Sequence, residues 1–168
     1  MTEGSATLWR RVTASVLVAL TIGVAARPLI ARQAPASAPP AEPWNEAEAL
    51  QPADLVKLLD DATTAPAVVY VGFKPLYRPG HIPGAPLHGP ALESQGLDDL
   101  RRWAERLSRS TMVVIYCGCC PLDRCPNVRP AFTVLRNMGF TNLHVLVLKT
   151  SFAADWVEKS FPLETTPK

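Results

Sequence analysis

Outside the nine residues from Cys117 to Cys125 the 168-residue sequence has no cysteine, and all four of its cysteines stand inside them, in the stretch YCGCCPLDRCPN. Thiols that merely fill cores would be scattered, so one stretch gathers this chemistry. The sequence also lacks any run of lysine or arginine, and its few aromatics are not interleaved with basic residues. Its formal charge of +2 comes entirely from Arg10, Arg11, Arg27 and Arg32 set against Glu3 and Glu42, which leaves residues 43–168 neutral overall. A neutral body without a basic patch has no electrostatic footprint for nucleic acid, which is excluded as a partner. Internal repeats are missing too. With 48% of its residues apolar, a chain of this length buries one sizeable core rather than two.

Long hydrophobic runs are confined to the N-terminus. Trp9-Arg10-Arg11 precedes an uncharged stretch from Val12 to Ala26, closed by Arg27-Pro28. Fifteen helical residues reach only about 22 Å, short of a bilayer core of about 30 Å, which fits a secretory signal, and Val24-Ala25-Ala26 suits signal peptidase. Equally, Leu29-Ile30-Ala31 extends the apolar run past one arginine, while Trp9 and the arginines suit the two membrane interfaces. Two outcomes stand, a cleaved signal peptide or an uncleaved inner-membrane anchor over residues 12–31. Both put the rest of the chain in a periplasmic or extracytoplasmic space. The organisation expected is a hydrophobic N-terminal helix within residues 1–32, an alanine- and proline-rich linker over 33–42, and one folded domain over 43–168.

Within that domain, strand-length apolar runs alternate with helical stripes. Residues 67–73, 111–116 and 143–148 read as buried strands bounded by proline, glycine or polar residues. Helices are expected from Pro52, with Leu55, Leu58 and Leu59 on one face, and over 96–107, where Leu97, Leu100, Trp103, Ala104 and Leu107 form a stripe. A third is expected after Asn127, read as its cap, with Val128, Phe132, Leu135 and Met138 at helical spacing and Gly139 as its stop. A closing helix is expected over 152–160. Residues 75–90 carry too much proline and glycine for regular structure. The alternation implies an α/β fold, an open parallel sheet with helices on both faces.

The cysteine stretch is then a strand-to-helix loop at the carboxyl end of a parallel strand, where such sheets bind ligands. Loop amides and the N-terminus of the following helix favour negative charge there, so a thiolate is stabilised and reactive. Arg124, inside the loop, and Arg129, in the first turn of the helix, are the candidate anion-binding cations. That set suits a cysteine that carries an anionic group such as a persulfide.

Tyr77-Arg78-Pro79 with GHIPGA at 80–85, VVIYC at 113–117, and Leu135–Phe140 with Trp156 and Phe161-Pro162 together resemble the rhodanese-like sulfurtransferases, over roughly residues 45–162. The resemblance implies a rhodanese-like fold and a cysteine that takes sulfane sulfur from a small donor, holds it as a persulfide and passes it to a thiol acceptor or cyanide, without a cofactor. Cys117 inherits the nucleophile's position. The family commonly places an arginine five residues after that cysteine; here Leu122 stands there, whereas Arg124 stands five after Cys119. Cys119 is therefore the alternative nucleophile, and Cys119, Cys120 and Cys125 are candidate resolving thiols. The family's Asp-x-Arg near the second strand is Tyr70-Val71-Gly72 in this sequence.

Three other readings compete. The thiols form a disulfide redox pair, in which a second cysteine resolves an oxidised Cys117. Alternatively Cys117, Cys119, Cys120 and Cys125 hold zinc, copper(I) or an iron–sulfur cluster, although paired Cys-x2-Cys knuckles are missing. Finally, two disulfides pin an elongated loop on an inactive fold. His81, in a tight turn with no nucleophile near it in sequence, reads as structural.

Overall fold

The computed structural model describes residues 41–61 and 63–166. The expected N-terminal helix and the linker up to residue 40 lie outside these residues. Among the described residues no helix is long and apolar enough to cross a membrane.

The apolar runs become strands β2 (Ala67–Tyr70), β3 (Val113–Tyr116) and β4 (Leu143–Leu146), each shorter than its run. Every residue of β3 is buried, as a strand needs that is paired on both edges and covered on both faces. β2 and β4 flank it in parallel register, with Tyr70 opposite Tyr116 and Ile115 opposite Val145. A two-residue strand, β1 (Ala49–Leu50), adds a parallel edge to β4, completing the order β1-β4-β3-β2. Two residues carry no readable periodicity, which is why the sequence did not announce β1.

Strand alternation divides the core in two. Val69, Val113, Ile115 and Val145 face α3 (Ser94–Ala104) and α4 (Val128–Asn137), meeting Leu100, Phe132 and Leu135. Val68, Tyr70, Val114 and Tyr116 face the other way, onto Leu55 of α1 (Pro52–Leu59) and onto Trp156. α4 ends where expected: Gly139 has φ of 90°, which a side chain would strain, and its N–H donates to Arg136 while Phe140 N–H donates to Leu135.

Two expectations are corrected. Lys74–Tyr77 forms a single helical turn, α2, that overlaps the start of the stretch expected to be irregular, because Pro75 sits in the first turn, where its missing N–H costs nothing. The closing helix is only a π-helical turn, Ala153–Val157, with wide bonds from Glu158 N–H to Ala153 and Phe161 N–H to Trp156, ending at Ser160 with φ of 56°. This turn lets the fully buried Trp156 lie flat against Phe152 and donate its indole N–H to Pro162 O at 2.7 Å. Trp156→Phe removes that donor and is expected to cost about 1 kcal/mol, read as a lower urea midpoint with an unchanged slope.

Candidate active site

β3 runs straight into the cysteine loop, and its last residue ties in the GHIPGA segment. Tyr116 Oη accepts from Ile82 N–H at 3.0 Å, and Tyr77 Oη donates to Ala85 O at 2.9 Å. His81 is buried, stacked on the Tyr77 ring at 3.8 Å, with its backbone N–H and C=O both paired to Glu164 at 2.9 Å. Its Nδ1 lies 3.1 Å from Tyr77 O, within the same turn.

All four cysteines are free thiols. Cys117 and Cys125 are buried, Cys119 and Cys120 half-buried. The sulfurs of Cys117, Cys119 and Cys125 lie within 4.8 Å of one another, with Cys117 Sγ 3.1 Å from Cys119 Sγ. Cys120 Sγ stands 2.9 Å from Cys119 Sγ, at the edge of the trio. A short 3-10 turn, Leu122–Arg124, folds the loop back, and Leu122 N–H reaches Leu148 O at 2.8 Å beyond β4. This return brings Cys125 to the N-terminus of α4, against Cys117.

The electrostatics of the two buried thiols are opposite. Cys125 is drawn down to about 6 by the hydrogen bond from Cys117, helped by the backbone N–H groups of Asn127 and Val128 and opposed by burial. Cys117 is pushed up, first because it donates to Cys125 and then because it is buried. Burial foremost also pushes up Cys120. The negative charge of the cluster therefore rests on Cys125, where the helix amides point. Cys117 Sγ itself donates to Cys119 Sγ at 3.1 Å, with Cys125 Sγ within 4.8 Å.

Two neighbours shape the space around Cys117. Asn127 is fully buried and caps nothing with its side chain; its Oδ1 accepts from Leu92 N–H at 2.9 Å and its Nδ2 donates to Cys117 Sγ at 3.5 Å. Gly72 lies so close that a Cβ there would stand 2.8 Å from Cys117 Sγ and 2.7 Å from Tyr70 Oη. The missing side chain leaves room for the thiol.

Among the described residues neither candidate arginine makes a hydrogen bond to a cysteine sulfur. Arg124 is 81% exposed, with Asp123 Oδ2 3.9 Å from its guanidinium. Arg129 donates to Cys125 O at 3.0 Å and Asp123 O at 2.8 Å, and pairs with Glu42. Its charge stiffens the loop's backbone. Beside Gly118 opens an apolar groove of about 310 Å³, lined by Leu76, Pro79, Phe152, Val157 and Leu163 among others.

No protein-family model matches the sequence, and no curated protein matches it. Solved structures do. The rhodanese-like domain of an Anabaena protein, solved in solution, superposes with a TM-score of 0.51 at 23% identity, over 71% of this chain and 80% of that one. The fold is rhodanese-like. The crystal structure of the Anabaena protein gives a TM-score of 0.54 at 23% identity, over 70% and 82% of the two chains. A protein from Bacillus halodurans gives 0.54 at 21% identity, over 70% and 76%. On this rhodanese-like domain the cysteine-rich cluster occupies the carboxyl end of an inner strand, the position at which parallel sheets carry their ligands.

Proposed function

We propose that this domain is a sulfurtransferase that passes sulfane sulfur through a persulfide on Cys117, held outside the cytoplasm by its N-terminal segment. The observation that carries the reading is a buried cysteine at the end of β3 in a rhodanese-like fold, with Cys119 Sγ 3.1 Å away and the Cys125 thiol, just before the start of α4, within 4.8 Å. In the first half-reaction Cys117 sulfur attacks the sulfane sulfur of a small donor such as thiosulfate. The donor's S–S bond breaks, sulfite leaves with the bonding pair, and the Cys117 proton passes to the Cys125 thiolate. In the second, a thiol acceptor or cyanide attacks the outer sulfur, and the Cys117 thiolate is restored. Asn127 Nδ2–H stabilises the charged sulfur in both steps.

The test is intact mass on the reduced, metal-free full chain, exposed to thiosulfate and then to cyanide. A gain of one sulfur atom that cyanide removes is expected. No gain under any pH between about 6 and 9, the range spanned by perturbed and ordinary thiols, would end the reading. Export is tested separately by cell fractionation and by the N-terminal residue of the mature chain.

A further inference from the structure

The trio of sulfurs has a second capacity that sulfur transfer does not require. Metal–thiolate bonds of about 2.3 Å set three sulfurs around one ion at about 4 Å from each other. Cys117, Cys119 and Cys125 already lie within 4.8 Å of one another, so a change of about 1 Å at the closest pair would enclose an ion. We propose that Cys117, Cys119 and Cys125 form a three-sulfur site for a single copper(I) ion.

The donor set selects the metal. No histidine or carboxylate joins the trio among the described residues, and thiolate-only sites favour soft ions. Zinc in a closed site takes four ligands, but Cys120 stands outside the trio of mutually close sulfurs, with its Sγ 2.9 Å from Cys119 Sγ. Copper(I) is content with three. Cys117 and Cys125 belong to the apolar core under α3 and α4, which screens the site from water. Asn127 Nδ2–H, directed at Cys117 Sγ, and the backbone amides at the start of α4, directed at Cys125, supply outer donors to the bound thiolates.

The experiment uses the reduced full chain without oxygen, offered copper(I) as its bicinchoninate complex. One ion per chain should be withdrawn from the chelator, and the loaded chain should then resist iodoacetamide at Cys117, Cys119 and Cys125 while Cys120 is alkylated. Cys120→Ser should bind unchanged. Cys119→Ser, at a half-exposed position that tolerates the change, should lose more than the roughly 10–100-fold that an outer-shell defect costs. Failure to withdraw copper, full binding by Cys119→Ser, or protection of all four thiols with zinc preferred would each overturn the proposal. A chain that takes copper but no sulfur from thiosulfate removes only the transferase reading, and the converse result removes only this one.

Discussion

Cys125→Ser should shift the pH at which the domain takes up sulfur, and Cys117→Ser should abolish uptake at every pH. With Cys125 drawn down to about 6, its thiolate is present above that pH and is lost as the pH falls through it. Uptake by the metal-free wild type should therefore climb through about pH 6 and level off before neutrality. Without Cys125, the buried Cys117 has lost its proton acceptor and must ionise unaided, and the climb should move to the ordinary thiol range of about 8.5 or above. At neutral pH the rate should fall on the order of a hundredfold, the usual yield of a positioned base. Sulfite release followed against pH gives the profile. An unchanged profile in Cys125→Ser would remove it as the base; uptake kept in Cys117→Ser and lost in Cys119→Ser would move the persulfide to Cys119.

Asn127→Ala should be both less stable and slower. The side chain is fully buried and satisfies Leu92 N–H, so its loss strands a backbone donor and should cost about 1–3 kcal/mol. It also removes the amide directed at Cys117 Sγ. Asn127→Asp separates the two roles, since it keeps an acceptor for Leu92 but turns a second acceptor toward the thiol. Urea unfolding and sulfite release on both variants are the readouts. If Asn127→Asp reacts as fast as the wild type, the amide has no part in the chemistry.

The elements with strong patterns were readable because their chemistry is local. The charge-free runs of β2, β3 and β4 and the stripes of α3 and α4 declare themselves by period. Gly139 and the proline-opened α1 declare themselves by backbone preference. What escaped depends on partners distant in sequence. β1 exists because β4 pairs with it. Asn127 reads as a cap from its place before α4, yet its side chain turns inward because Leu92 N–H, 35 residues away, has to be satisfied inside the core. Arg129 reads as a cation for an anion, and its partners in the fold, the carbonyls of Cys125 and Asp123 and the Glu42 carboxylate, were not visible from its place in the first turn. The position of the sulfurs in one loop was plain. That the helix amides serve Cys125 was signalled only by its standing just before the start of α4, and the lowering by Cys117 was not signalled at all.

Two of the reactive sulfurs are also core residues, with Cys117 at 3% and Cys125 at 1% exposure. A reversibly bound ligand that the folded chain holds more tightly than the unfolded one links their occupancy to stability. A ligand held at a hundred times its dissociation constant adds about 2.7 kcal/mol to unfolding. The domain's melting temperature is thus a gauge of its chemical state. Conversely, a mutation that loosens the packing of α4 on the sheet weakens every ligand of these sulfurs, without touching any of them.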